Sequence, residues 1–126
     1  MVTLHAIPTL AAAPICRECY CRTSRHITRA SNRNGNAGRP YYKCDQCNKF
    51  HCFDDDRGND PRNPRCLCQV ASRQQVAGPE KAIPRGLHYV CRSGQCNFYT
   101  VRRDVNAQQI TVTEDLVEML ARLEVI

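Results

Sequence analysis

Gly38-Arg39-Pro40-Tyr41-Tyr42-Lys43-Cys44 decides how this chain is read, because a cassette of the same kind, Arg85-Gly86-Leu87-His88-Tyr89-Val90-Cys91, returns forty-seven residues later. At that offset Cys19 maps onto Cys66, Cys21 onto Cys68, Tyr42 onto Tyr89 and Cys44 onto Cys91. Each copy has a CxC pair, twenty-two intervening residues and a further cysteine with a tyrosine two places before it. The closing loops differ in length, Cys44-Asp45-Gln46-Cys47 in one and Cys91-Arg92-Ser93-Gly94-Gln95-Cys96 in the other. Self-similarity of this kind means two copies of one small module, and it governs every later inference.

A module of roughly forty residues seldom buries enough apolar surface to fold on its core alone. The chain has ten cysteines, three phenylalanines and no tryptophan, so the staple is a metal or a disulfide. A disulfide framework calls for export, and residues 1–14, MVTLHAIPTLAAAP, place no lysine or arginine ahead of their apolar part and include two prolines. They read as a poor signal peptide and are far too short to span a bilayer. Zinc held by free thiolates in a reducing, intracellular compartment is the favoured reading, the nucleus included, although no import-type run of basic residues is visible.

The formal charge of +6 is unevenly spread. Between Cys16 and Phe50 eight basic residues face only Glu18 and Asp45, and between Arg62 and Arg103 eight face only Glu80. Phe53 to Pro61 carries four acids and one arginine, and the tail from Asp104 carries five acids against Arg122. Both cysteine modules are basic, and what lies between and after them is acidic.

Residues 1–15 lack any period and read as a disordered leader. Residues 16–54 form the first module: a polar, β-permissive run from Arg22 to Ala30, a turn rich in Asn and Gly over 31–38, a returning strand from Tyr41 to Cys44 and a third from Phe50 to Phe53. Residues 55–63 read as an acidic, solvated linker, since the Asp54-Asp55-Asp56 run lacks the ligand spacing of a calcium loop. Residues 64–103 repeat the plan, with strands near Gln74 to Ala77, Leu87 to Cys91 and Phe98 to Val101. Residues 104–126 add a strand at Ile110-Thr111-Val112 and an amphipathic helix capped by Thr113, whose stripe of Leu116, Met119, Leu120 and Leu123 packs on the second module or docks a protein partner. The expected fold is therefore small, zinc-stapled and β-rich, with two tandem three-stranded antiparallel modules and a short C-terminal helix.

On an extended chain, residues two apart share a face, so a CxC can aim both thiolates at one ion. This assigns Cys19, Cys21, Cys44 and Cys47 to one Zn2+ and Cys66, Cys68, Cys91 and Cys96 to a second. An alternative register, Cys16-x-x-Cys19 with Cys44-x-x-Cys47, is locally as good; the second copy argues against it, because Asn63 stands three residues before Cys66. Cys52 in place of Cys47, or an intruding His26 or His51, are further options. Four protein ligands leave no open position for water, which makes such a site structural. With no nucleophile and base set and no carboxylate pair visible, the chain reads as a non-enzyme.

The CxC, the strand bearing threonine and arginine, Asn36-x-Gly38-Arg39-x-Tyr41-Tyr42-x-Cys44, Cys47 and Phe50 together resemble the GRF-type zinc finger. The resemblance implies a small antiparallel sheet on one zinc, in a family implicated in single-stranded nucleic-acid binding. Where that family ends in Cys-x-Phe-Phe-x-Trp this chain has Cys52, which reads as a buried small hydrophobe. In the second copy the Gly-Arg order is reversed, His88 replaces Tyr41 and Val101 falls at the tryptophan position, implying a degenerate finger that keeps the fold without the binding surface.

Single-strand binders combine cations for phosphate with aromatic faces for bases. In the first module Arg25, Arg29, Arg33, Arg39, Lys43 and Lys49 are the candidates for phosphate, and Tyr41 and Phe50 for stacking, with Tyr42 as the structural member of the tyrosine pair. Single-stranded DNA or RNA is the partner this composition favours. A protein adaptor using the second module and the helix is the alternative, and neither a membrane nor a small-molecule substrate is expected.

Overall fold

The computed structural model describes residues 13–126, and two antiparallel sheets of three strands account for most of its regular structure. The first runs in the order β1 (Ser24–Ile27), β2 (Pro40–Cys44), β3 (Lys49–Phe53); the second runs β4 (Arg73–Val76), β5 (Leu87–Val90), β6 (Tyr99–Val101). Tyr42 pairs with Arg25 and Cys52, and Tyr89 with Gln74 and Thr100, so each cassette is the central strand of its sheet. Most of the expected leader lies outside the described residues. Its end does not hang free: the Pro14 carbonyl accepts from the Thr23 amide and hydroxyl, and Ile15 bridges Arg22.

Between β1 and β2 the chain makes a longer loop than an Asn-Gly hairpin turn. Asn32 Oδ1 accepts from the amides of Asn34 and Asn36, and Gly35 and Gly38 supply the left-handed conformations that close it. After β6 no regular strand forms at residues 110–112. Asp104 Oδ1 accepts from the amides of Asn106 and Gln108, which curls the chain back so that Ile110 and Val112 meet the main chain of 85–102 through isolated bonds. Helix α1 (Glu114–Arg122) begins at Thr113, whose hydroxyl accepts from the Leu116 amide.

The side of α1 that packs inward is not the stripe read from the sequence. Val117 is buried with Leu87 and Ile126, and Val76, Ile110, Val112, Leu120 and Ala121 gather around them, whereas Leu116, Met119 and Leu123 face outward. The helix also touches the first module, since a Cβ on Gly35 would lie 3.0 Å from Val117 Cγ1. It is a strut between the two modules.

The acidic run after β3 is likewise more than a solvated linker. The Asp55 carboxylate accepts from Arg39 Nε of the first module at 2.7 Å and from Arg73 Nη1 of the second at 2.6 Å. Both guanidinium side chains are only 3% exposed. Arg57 donates to the main-chain oxygens of Gly35 and Ile126, and the Gly58 amide donates to the Glu124 carbonyl while its carbonyl accepts from the Gln74 amide. Carboxylate and arginines pair with one another and with the carbonyls around them, which is what makes burying charge tolerable. Arg73 Nε alone of the clamp's guanidinium nitrogens is buried with no partner among the described residues.

Candidate metal centres and the exposed aromatic face

In the first module Cys16 and Cys19 lie in the turn before β1, Cys44 ends β2 and Cys47 lies in the turn between β2 and β3. Their four sulfur atoms sit within 4.8 Å of one another, as do those of Cys66, Cys68, Cys91 and Cys96 in the second module. Cys19 Sγ is 3.5 Å from Cys44 Sγ, and Cys16 Sγ is 3.9 Å from Cys47 Sγ. A zinc tetrahedron with bonds of about 2.3 Å has sulfur-sulfur edges of about 3.8 Å, whereas a disulfide closes to about 2.05 Å. All ten cysteines are free thiols.

The local backbone explains how each pair converges. Tyr20, Asn48 and Gln69, each directly after the second cysteine of a pair, adopt left-handed φ values of 62°, 56° and 67°. The amides of Glu18, Cys47 and Cys68 point at the sulfurs of Cys16, Cys44 and Cys66 at 3.4, 3.4 and 3.3 Å. Amides aimed this way favour thiolate, and the Cys16 thiol is lowered to about 6 chiefly by the main chain of Cys19 and Glu18. Cys47 is pushed up to about 12, first by its hydrogen bond with the Cys19 thiol and then by burial. Cys91 is opposed by burial but still falls to about 6 through the Ser93 hydroxyl and nearby amides. One anion per cluster forms readily and further ones repel it, an imbalance that a central divalent cation reverses. The two clusters, each of four cysteines, fit two zinc ions.

One expected ligand is not among the eight. Cys21 lies outside the first cluster, its Sγ donating to Gln46 Oε1 at 3.1 Å, and Cys16 takes the place assigned to it. The left-handed Tyr20 breaks the extended alternation that would have put Cys19 and Cys21 on one face. The two copies in fact align as Pro14 with Pro64, Cys16 with Cys66, and Cys19 with Cys68. The Thr23 amide bonds the Pro14 carbonyl as the Ser72 amide bonds Pro64, and the Ile15 to Arg22 bridge matches Arg65 to Ala71. The first pair of the second module is one residue shorter, and a proline two places before the first cysteine is the sequence sign of the true register. Cys52 is buried outside both clusters, its thiol pushed up to about 12 by desolvation.

Register and strand alternation place His26, Tyr41, Lys43 and Phe50 on one face of the first sheet. His26 stacks on Tyr41 with centroids 5.5 Å apart, Tyr41 on Phe50 at 5.7 Å, and Phe50 meets Phe53 edge-on at 4.9 Å. Phe50 is 50% exposed. Tyr42 points the other way, buried, with its hydroxyl 3.4 Å from Asp54.

The cations named from sequence separate into two groups. Arg39 does not belong to a phosphate track: its guanidinium is buried on Asp55 and lies 3.6 Å over the Phe53 ring. Arg25 is paired with Asp54 at 2.9 Å and Lys49 with Glu18 at 2.5 Å. Arg29 and Arg33 are exposed and Lys43 is half-buried, and no ion pair engages them among the described residues. The sequence offered His26 only as an alternative zinc ligand and Phe53 only as a strand end; the cross-strand pairing of His26 with Tyr41 is what brings the first to this face.

Residues 13–57 match the family model of the GRF-like zinc ribbon domain. That match and the first cysteine cluster make this segment a zinc-binding ribbon, while the second module shares its strand order and has a four-cysteine cluster of its own. Comparison with curated proteins and with solved structures gives no match. No helix among the described residues is long and apolar enough to cross a membrane.

Proposed function

We propose that the protein is a non-catalytic binder of single-stranded nucleic acid, DNA or RNA, working inside the cell through the exposed face of its first ribbon. The observation that carries this reading is the stack of His26, Tyr41 and Phe50 on one sheet face, with Lys43 beside it. Rings at the surface, Phe50 most exposed among them, suit unpaired bases, each stack contributing about 1 to 3 kcal/mol. Arg29 and Arg33 supply charge that no ion pair engages among the described residues, and Lys43 adds to it beside Asp45, whose carboxylate meets His26 Nε2 at 2.9 Å. Each zinc is structural, because four thiolates leave no coordination position for a substrate or water.

The test is fluorescence anisotropy of a labelled oligothymidylate across a salt series. Affinity falls steeply with salt, Phe50→Ala weakens binding by about tenfold, and Arg29→Ala with Arg33→Ala lowers the salt slope. Binding indifferent to salt and to Phe50 would remove the reading. A second reading, a protein adaptor, rests on Leu116, Met119 and Leu123, which α1 leaves exposed in one stripe. Replacing all three with serine would abolish a partner's capture and leave oligonucleotide affinity unchanged.

A further inference from the structure

His88 and Tyr99 in the second module occupy the places of Tyr41 and Phe50 in the first. Gln75 pairs with His88, and Val90 with Tyr99, so alternation sets His88, Tyr99 and the Gln75 side chain on one face of the second sheet. The His88 and Tyr99 rings stack with centroids 5.1 Å apart and planes inclined by 28°, and Tyr99 is 60% exposed. The loss of the tyrosine at position 88 therefore exchanges one stacking ring for another. Burial holds the His88 imidazole below its ordinary pKa, so near neutral pH it is an uncharged ring.

The two ring systems are joined. A cleft of 210 Å³ between the modules is lined by Asn36, Phe50 and Phe53 on one side and by Gln75 and Val76 on the other. Gln75 is thus both a wall of that cleft and the cross-strand partner of His88, while Phe50 is both the opposite wall and the end of the Tyr41 stack. The Asp55 clamp and α1 hold the modules together across this joint. The second module is basic as well, although Arg65, Arg102 and Arg103 gather beside Tyr89 and Thr100, which alternation sets on the opposite face, so they add general positive charge without lining this platform.

We infer that one strand of nucleic acid engages both modules at once, with His88 and Tyr99 forming a second base-stacking platform that continues the first across the inter-module cleft. This rests on the reading of the first module given above. The occupant is single-stranded because a duplex hides the faces of its bases, and stacking on exposed rings requires them free. The second module then lengthens the site without adding sequence readout.

The experiment compares fluorescein-labelled oligothymidylates of about four and about twelve nucleotides, spanning one and two platforms, against the full chain loaded with zinc. Tyr99→Ala is expected to weaken the longer strand by about tenfold, the size of one lost stack, and to leave the shorter one within twofold. Tyr99→Phe keeps the ring and retains affinity, and zinc content of the variants reports that the fold is intact. Unchanged binding of the long strand by Tyr99→Ala, with Phe50→Ala still weakening both strands, overturns the second platform and leaves the first standing. Equal loss for both lengths in Tyr99→Ala also overturns it, since that marks a structural role. Failure of the unaltered protein to bind either strand overturns both readings.

Discussion

Arg39 and Arg73 belong to different modules and share one carboxylate: Asp55 Oδ2 lies 2.7 Å from Arg39 Nε, and its Oδ1 2.6 Å from Arg73 Nη1. The arrangement converts a tandem repeat into one unit, because neither arginine can leave without stranding charge. It also gives the Gly-Arg cassette a physical meaning. Gly38 adopts a left-handed φ of 75° and turns the chain so that Arg39 enters the joint, where Phe53 covers its guanidinium.

Asp55→Asn tests the clamp. Removing the negative charge leaves two buried guanidinium groups uncompensated, and a loss of about 3 to 5 kcal/mol is expected, read as a lower denaturation midpoint in zinc-containing buffer with both ions retained. Arg39 and Arg73 hold the Asp55 carboxyl below its ordinary value even though burial, the largest influence, acts the other way. The unfolded chain takes up that proton first as pH falls. The clamp's contribution is therefore fully present above the ordinary carboxylate range and drains away as pH drops through the depressed value.

Metal stoichiometry discriminates the ligand sets. Cys16→Ser is expected to leave one zinc per chain and Cys21→Ser two, measured by elemental analysis of the purified variants. Chelation of both ions should unfold the chain, since a structural zinc contributes on the order of 10 kcal/mol. Retention of two ions by Cys16→Ser, with one by Cys21→Ser, would restore the CxC register.

Those two cysteines also show where the sequence was legible. The six strands and the pairs Cys44 with Cys47 and Cys91 with Cys96 could be read, because strand alternation and ligand spacing are local and the copies corroborate each other. Cys21 misled because the offset of the central strands was carried back across a β1–β2 connection that is two residues longer than its counterpart between β4 and β5, and then across a cysteine pair that is one residue shorter in the second copy. Together these differences exchange Cys16 for Cys21, and the hydrogen bonds to Pro14 and Pro64 reveal the true register. Asp55 was opaque for a different reason. An acid in a polar, glycine-bearing run looks solvated until two arginines distant in sequence are placed beside it, and Arg39 left the list of phosphate contacts on the same ground.

Two glycines separate close approach from backbone strain. A Cβ on Gly58 would lie 2.2 Å from the Gln74 carbonyl oxygen, at a φ of +77°, so Gly58→Ala must push the joint away from β4. Gly38 has a φ of +75° with nothing within 4 Å. Gly38→Ala should therefore lose only the left-handed penalty of about 1 to 2 kcal/mol, and Gly58→Ala clearly more, in paired thermal melts. Equal losses would mean that the joint yields without cost.

His88 supplies a pH dependence with a definite sign. Burial lowers its pKa from the ordinary 6.5, with the Gly86 carbonyl acting weakly in the opposite direction. Below that ordinary value the unfolded chain binds a proton that the folded chain refuses, so stability declines as pH falls toward the folded value and levels off beneath it. His51 is lowered by burial as well and adds to the same decline. His88→Phe keeps a ring against Tyr99 and removes one of the two contributions. Denaturation midpoints from about pH 7.5 to about pH 5.5 should therefore fall less in His88→Phe than in the parent, and the difference between the two curves cancels the proton-driven loss of zinc common to both. Parallel curves would place the His88 imidazole in water rather than against Tyr99.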